Sequence, residues 1–398
     1  MALMTLGQKR LLILAPRFPY PPLSGGKLFL LHVAKALQDY RLTLLSLCST
    51  REEMEFEPDD GIFAEIHKVH LPALHSYWSV LTSLARPRPL QLAYYESSVY
   101  RRKLEELAPR HDAVFAHLIR TGQYVIELKQ SLPSVLLMAD AISLAYQRMA
   151  NLPGSSLLWH FLFRAEMKRL SRYERVSPEN FDQTWLHSDV DRRFLELKEK
   201  AVQIIPIGVD LDEFPFTPAP SGNVVAFIGN MSFSLNLDAC RHFIRDILPA
   251  LTTSSDIRFR VIGACSQAVR RELEQHAGVE VTGTVRNIAD AVDGVFCGVC
   301  PVRAGAGIQN KILNYLALGI PCVTSNVGLE GLSAVDGREL FVYDRPERAV
   351  QIILNLLGDS GLRNRMAENG RRFVERAHDW KMIHLLIREQ VKNLLATT

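Results

Sequence analysis

Short apolar runs alternate with longer segments whose apolar residues recur at helical spacing, and this pattern runs the length of the chain. In the first half, Arg10–Ala15 reads as a strand, followed by the loop Pro16–Gly26 and a helix from about Lys27 to Gln38. Further strands are expected at Leu42–Leu47, Ile66–Leu71, Ala113–Ala116, Ser134–Met138, Gln183–Leu186 and Val202–Ile205, and Leu157–Val176 reads as a long amphipathic helix. Ser188 ahead of Asp189 and Asp191 has the form of a helix N-cap with acids in the first turn. Residues 206–223 hold several prolines and two glycines without a steady period and read as a linker. The second half restarts the pattern with strands at Val224–Ile228, Arg258–Ile262, Val279–Val281 and Leu340–Tyr343, and helices at Leu235–Leu251, Gln267–Gln275, Pro346–Leu357 and Ser360–Arg376. A last helix, about Asp379–Leu395, is apolar at Trp380, Ile383, Leu386, Ile387, Val391 and Leu394. Alternating strands and helices predict an α/β fold of two domains with parallel sheets, 1–205 and 224–378.

The length of 398 residues agrees with two domains. Hydrophobic residues make up 47% and charged residues 22%, the composition of a globular enzyme. A net charge of +3 is too small to argue for nucleic acid as a partner. No apolar run reaches the length of a membrane span, and the first one, Leu11–Ala15, leads into Pro16 without a secretory cleavage pattern, so a cytoplasmic location is expected. The six cysteines sit mostly in apolar runs, as reduced buried thiols do. Cys297 and Cys300 are the one redox or metal candidate, but in a strand their sulfurs point to opposite faces.

The segment Arg303–Ser325 carries the most chemistry. An apolar run, Gly294–Val302, leads into a glycine loop, a helix bearing Gln309, Asn310, Lys311 and Asn314, and a second apolar run from Ile320. Free N–H groups at the helix start favour an anion there, Gly305 and Gly307 allow its close approach, and Arg303 and Lys311 add positive charge. The same pattern fits an ordinary strand-to-helix turn with surface charges. The proline-rich loop ending in Gly25 and Gly26 is long for a plain turn and lies at a strand's carboxyl end, where α/β sheets bind ligands. Gly229, Asn230 and Ser232 hold the corresponding place in the second domain, with Asn236 ahead of the helix body; an N-capped helix explains them equally well. Thr284, Val285 and Arg286 follow a third strand end. His117 and Asp140 each end a strand of the first domain, although a lone His at such a place is more often structural. Arg164, Lys168, Arg169, Arg172 and Arg175 recur at helical spacing; the stripe fits an anionic membrane or a phosphorylated acceptor, and fits a solvated helix face better. The pairs Asp189/Asp191 and Asp210/Asp212 do not end buried strands and are not read as a metal site.

Taken in order, these marks resemble the family 4 (group 1) retaining glycosyltransferases of the GT-B fold. The resemblance rests on the loop ending in Gly25-Gly26, on Ile205-Pro-Ile-Gly-Val-Asp210 with Phe214, and on Gly229, Met231 and Asn236. It extends through Gly283 and Val285, Gly305, Gly307, Asn310 and Lys311, Ala317, Gly319 and Pro321, and Trp380. The Gly229/Met231/Asn236 and Asn310-Lys311 patterns look most like a subgroup tied to polysaccharide and glycoconjugate biosynthesis. The resemblance implies two Rossmann-like domains facing across a cleft, the N-terminal one for the acceptor and the C-terminal one for a nucleotide sugar, with 379–398 crossing back onto the first. It implies that Arg303 and Lys311 neutralise the departing diphosphate and that Gly25 and Gly26 approach the same phosphates. Thr284, Val285 and Arg286 border the base, and His117 lies near the donor sugar. Gly229, Asn230, Ser232, Ala306, Gly307, Ile308 and Asn314 belong to the donor site and Asp140 to the acceptor side. Configuration is retained by front-face attack, with no metal or other cofactor. The implied partners are a nucleotide-sugar donor and a glycan, lipid-linked or small-molecule acceptor, with peripheral contact at the inner face of the membrane.

The family places two glutamates eight positions apart in the donor segment, and here Ala306 and Asn314 stand in their place. Asn314 keeps hydrogen-bonding capacity toward a ribose, whereas Ala306 replaces a sugar-binding carboxylate with a methyl group. The alternative reading is therefore a catalytically weak GT-B protein that serves as the binding or scaffold partner of an active transferase. An epimerase lacks acid and base groups in this loop, and a dehydrogenase lacks the dinucleotide fingerprint.

Overall fold

The computed structural model describes residues 8–22, 24–128, 132–151, 157–217 and 221–396, the side chains of 157–159 excepted. The chain divides into two compact units, 1–206 together with 383–398, and 207–382. The first holds strands β1 (Arg10–Ala15), β2 (Arg41–Cys48), β3 (Glu65–His70), β4 (Ala113–His117), β5 (Ser134–Ala139), β6 (Gln183–Leu186) and β7 (Gln203–Ile204). They form one parallel sheet in the order β3-β2-β1-β4-β5-β6-β7. The second holds β8 (Val224–Ile228), β9 (Arg258–Ile262), β10 (Val279–Gly283), β11 (Val295–Cys300), β12 (Cys322–Ser325) and β13 (Phe341–Tyr343), parallel in the order β10-β9-β8-β11-β12-β13. Each sheet thus repeats the doubly wound order 3-2-1-4-5-6, and strand order reverses beside β1 and beside β8. Ligands of such sheets bind beyond the carboxyl ends of the strands at that reversal.

The central strands are buried on both faces, which is why they read as continuous apolar runs rather than alternating ones. Phe115 meets Trp185 edge-on in the first core, and Phe243 stacks on Phe259, centroids 4.4 Å apart, in the second. Tyr315 is fully buried and ties the helix Asn310–Leu318 to the sheet. Its hydroxyl accepts from Ile228 N–H at 2.8 Å and donates to the Ala226 carbonyl at 3.0 Å. Gly298 of β11 makes this possible, because a Cβ there would stand 2.5 Å from the Tyr315 ring.

Several elements depart from the periodicity reading. The helix expected from Lys27 begins at Gly25, so Gly25 and Gly26 form its first turn rather than the loop before it. The helix expected over Leu235–Leu251 is two helices, Ser234–Asp246 and Leu248–Ser254. Pro249 in the first turn of the second lacks the N–H that continuation would need. Periodicity assigns no element between Leu71 and Ala113, yet helices occupy Ala73–Ser83, Leu90–Tyr94 and Ser98–Leu107. The first of these exposes its apolar residues, so the usual inward stripe is absent as a signal. Cys297 and Cys300 are free and buried in β11, and burial pushes both thiols up. Among the described residues no cluster of His, Cys, Asp and Glu is built to hold a metal ion. None of the described helices is long and apolar enough to cross a membrane.

The last helix, Trp380–Ala396, starts in the second unit and belongs to the first from Ile383 onward. Within the second unit, the stretch after Pro206 is fastened to the start of this helix. The His378 ring meets the Ile207 carbonyl at 2.7 Å, and the Trp380 ring fills the space where Gly208 has no side chain.

Replacing Tyr315 with Phe leaves the buried Ile228 N–H and Ala226 carbonyl without this partner. It is expected to lower unfolding stability by about 1–3 kcal/mol in chemical denaturation. Burial also pushes the imidazoles of His32, His111, His187 and His378 down, His32 to about 3. The unfolded chain therefore takes up more protons than the folded one below the ordinary histidine range. Stability is full above about pH 6.5 and falls as the medium is acidified, by about 2 kcal/mol at pH 5 from His32 alone. Denaturation midpoints between pH 7.5 and 5 check this, and His32→Gln should flatten the slope.

Candidate functional site

In the second unit, β11 delivers the chain to a loop that ends at the helix Asn310–Leu318. Gly305 (φ +146°) and Gly307 (φ +73°) take backbone conformations that other residues rarely adopt, which keeps Cβ atoms off the face in front of the helix start. Ala306 and Gly307 are half-buried, Ile308 is buried and Asn314 is half-buried. Lys311 is only 9% exposed. Its ammonium donates to Gln309 Oε1 at 3.0 Å and lies 5.2 Å from the centre of the Phe227 ring. Neither neighbour is an anion, and among the described residues Lys311 has no ion pair. Arg303 differs: its Nε donates to Asp238 Oδ2 at 3.1 Å and its Nη2 to Asp238 Oδ1, a bidentate pair with the helix Ser234–Asp246. Of the two cations read as flanking the turn, one is already neutralised.

The neighbouring loops line the same sheet edge. Gly229 N–H bonds to the Ile262 carbonyl at 2.9 Å and Gly263 N–H to the Gly283 carbonyl at 3.1 Å, which sets the ends of β8, β9 and β10 side by side. Asn230 Oδ1 accepts from Ser232 N–H at 2.8 Å, and Asn236 Nδ2 donates to the Asn230 carbonyl at 3.0 Å, so these amides shape the turn after β8. Beyond β10, Thr284 and Arg286 are exposed and Val285 is half-buried.

In the first unit, His117 closes β4 and is 5% exposed. Burial, with help from Arg120 and His187, pushes its imidazole down to about 3, so it is neutral at physiological pH. Its Nε2 is buried without a hydrogen-bond partner. Gly26 lies against the ring, and a Cβ there would stand 3.8 Å from His117 Cε1. Asp140 follows β5 and has a buried Oδ1 without a partner. Burial raises its carboxyl, and it in turn raises the nearby buried carboxyl of Asp191. Asp191 accepts from Ala141 N–H at 3.0 Å and from the Ser188 hydroxyl at 2.5 Å. Ser188 caps the helix Asp189–Phe194 as its spacing predicts.

Sequence reasoning missed four features. Leu118, after His117, has φ +65°, and Ala139, before Asp140, has φ +68°. Left-handed backbone at a non-glycine residue is costly and collects at functional sites. Here it marks the two strand ends that carry the candidate side chains, and nothing in Leu or Ala announces it. Asp191 and Asp238 act through space, across β5 and β6 and across β8 and β11, and local spacing does not reveal such partners.

Residues 222–359 match the family described as glycosyl transferases group 1. No curated protein sequence matches the chain. Among solved structures, sucrose-phosphate synthase from Thermosynechococcus elongatus is similar at TM-score 0.73 and 13% identity, covering 98% of this chain and 100% of that one. Anabaena HepE in complex with UDP and glucose is similar at TM-score 0.69 and 13% identity, covering 97% and 100%. The α,α-trehalose 6-phosphate synthase of Burkholderia multivorans is similar at TM-score 0.67 and 14% identity, covering 98% and 99%. At such identities the structures speak for the fold, and the family match of the second unit speaks for the activity. The second unit thus carries the match to the group 1 glycosyltransferases, and the two doubly wound units share the GT-B fold of these structures.

Proposed function

We propose that the chain is a retaining glycosyltransferase that binds a nucleotide sugar at the glycine loop of the second unit, and that its acceptor is a glycan or a lipid-linked glycoside. The observation that carries this reading is the buried Lys311 ammonium, which has no carboxylate beside it and stands at the first turn of a helix. A buried charge without a counter-ion is costly, and a diphosphate supplies the missing one. The Anabaena neighbours were solved with UDP and with UDP-glucose, which supports a nucleoside diphosphate as the class of ligand. In the proposed reaction the acceptor hydroxyl attacks the anomeric carbon on the face from which the nucleoside diphosphate leaves. Its proton passes to a diphosphate oxygen, giving a glycoside with retained configuration and a free nucleoside diphosphate. Lys311 stabilises the charge that grows on the leaving group. Arg303, held by Asp238, lends its remaining donors. Gly229, Asn230 and Ser232 border the same phosphates, and Thr284, Val285, Arg286 and Asn314 the nucleoside. His117, neutral and with a free Nε2, exchanges a hydrogen bond with a sugar hydroxyl, and Asp140 serves the acceptor side.

A lipid-linked acceptor is favoured by the helix Ala73–Ser83, whose amphipathicity is inverted. It buries Ser76 and Ser83 and exposes Leu74 (85%), Tyr77 (64%), Trp78 (66%) and Leu81 (57%), which lie on one helical face. No Asp or Glu occurs from Ile66 to Tyr95, a stretch that includes Lys68, Arg86 and Arg88. Arg169 of the helix Leu157–Val176 donates to the Leu84 carbonyl at 2.6 Å, which sets that helix's exposed Phe161, Arg164, Lys168 and Arg172 on the neighbouring surface. Lys68 and Arg88 are themselves paired with Glu57 and Glu96, but exposed aromatic and aliphatic groups beside the exposed Arg86, Arg164, Lys168 and Arg172 suit an anionic bilayer.

Lys311→Met preserves the aliphatic packing and removes the charge. It is expected to weaken nucleoside diphosphate binding about 10- to 100-fold in calorimetry while changing nucleoside binding less than twofold. Equal losses for both ligands would remove Lys311 from the phosphate site. A thermal-shift screen of UDP, GDP, ADP and dTDP sugars identifies the donor, and absence of binding at millimolar concentration would defeat the donor-site reading. The chain is also expected to float with vesicles containing phosphatidylglycerol but not with pure phosphatidylcholine, and Leu74→Ser with Trp78→Ser to cut that binding at least about tenfold. A chain that stays with the soluble fraction in both cases would exclude the membrane contact.

A further inference from the structure

Two arginines of the first unit hold a charge that nothing in their surroundings balances. Arg17 lies in the loop after β1 and Arg120 in the first turn of the helix Leu118–Ile126 after β4, so both stand at the carboxyl edge where strand order reverses. They share one aromatic ring. Arg17 Nε donates to the Tyr95 hydroxyl at 2.8 Å with its guanidinium carbon 5.9 Å from the ring centre, and the Arg120 guanidinium carbon is 5.0 Å from the same centre. Arg120 also donates from Nε and Nη2 to Gln91 Oε1 at 2.9 and 2.7 Å, and Gln91 Nε2 donates in turn to the Tyr146 hydroxyl at 3.0 Å. Every partner is neutral. Among the described residues neither arginine forms an ion pair, whereas Arg10, Arg101, Arg192, Arg241, Arg260 and Arg303 all do. Glu166, which accepts from Gln91 N–H at 3.3 Å, lies 3.8 Å from Arg169. Burial holds Arg120 below its ordinary range, and Arg17 adds repulsion.

Like charges brought together at the functional edge of a sheet, Arg120 half-buried and Arg17 open to solvent, favour an anion between them. We propose that Arg17 and Arg120, bridged by Tyr95 and set beside His117, form a subsite for a phosphoryl group carried by the acceptor. Two guanidinium groups and the Tyr95 phenol match the several oxygens and double charge of a phosphoryl group better than a single carboxylate. Arg120 is near enough to His117 to help hold that ring neutral, which puts the anion next to the imidazole proposed to meet a sugar hydroxyl. The assignment to the acceptor rests on the glycosyltransferase reading; the anion subsite itself does not.

The test is calorimetry on the full chain with glucose 6-phosphate, with polyprenyl phosphate in detergent micelles, and with unphosphorylated glucose, for the native protein and for Arg17→Gln and Arg120→Gln. At least one phosphorylated probe should bind and glucose should not, and each variant should weaken that binding about tenfold while leaving nucleoside diphosphate affinity within twofold. Preference for glucose 6-phosphate assigns a soluble sugar phosphate as acceptor, and preference for polyprenyl phosphate assigns a lipid-linked one. If neither phosphorylated probe binds, or if binding is indifferent to both variants, the subsite does not exist. If diphosphate affinity falls by the same factor, the pair belongs to the donor. Should Arg120→Gln fail to fold, the exposed Arg17 decides the matter alone. If no nucleotide binds while phosphate binding still depends on Arg17, the glycosyltransferase reading fails and the anion subsite stands.

Discussion

An ammonium group held below the surface by a carboxamide and an aromatic face, with no ion pair among the described residues, is the constraint around which the second unit is organised. Lys311 has these surroundings because the helix that carries it is pinned from beneath. Tyr315, one turn further on, packs against β11 at Gly298 and bonds to the Ile228 N–H and the Ala226 carbonyl of β8. The pin fixes where the helix starts, and the helix start fixes both the lysine and the free backbone N–H groups. The glycines before it then keep the space in front open. Charge, dipole and open space are thus consequences of one packing arrangement, and a change deep in the sheet should be felt at the loop.

The fold was largely legible in the sequence because strands buried on both faces announce themselves as apolar runs. The order β3-β2-β1-β4 and its repeat in the second unit follow from right-handed crossovers between such runs. What periodicity could not show were elements stabilised by something other than an inward apolar stripe. The helix Ala73–Ser83 turns serines inward, and the break at Ile247 depends on one proline inside an otherwise continuous pattern. The candidate site was legible as a set of strand ends but not as a set of partners. Arg303 and Lys311 looked equivalent by spacing, and only the three-dimensional position of Asp238 separates a balanced cation from an unbalanced one. His117 and Asp140 were visible as residues at strand ends, while the backbone that aims them, at Leu118 and Ala139, has no signature in residue type.

The first unit uses a different chemistry from the second. Its strand ends gather groups whose charge burial disfavours: an imidazole held neutral far below its ordinary range, and two carboxyls raised to about 6 by burial and, for Asp191, by the nearness of Asp140. Neutral hydrogen-bonding groups suit hydroxyl-rich ligands, since they lose little on desolvation and can both donate and accept. The exception is the pair Arg17 and Arg120, and the contrast is informative. Beside an imidazole held neutral, two guanidiniums without an ion pair among the described residues are the feature on which the proposed anion subsite rests.

The departure at Ala306 and Asn314 can be argued in the same terms. A glutamate in the donor loop gives sugar hydroxyls a charged acceptor, but it also places a negative charge in the same short loop as Lys311, a few residues away. With alanine at 306 and asparagine at 314, neither position offsets the ammonium, and in the proposed donor site its field would act on the diphosphate. Asp238, which does reach this edge, is spent on Arg303. On the proposed reading, the pair exchanges grip on the sugar for grip on the leaving group. Its consequence is a donor site whose affinity should reside in the nucleoside diphosphate and whose discrimination among sugars must come from backbone N–H groups and from shape.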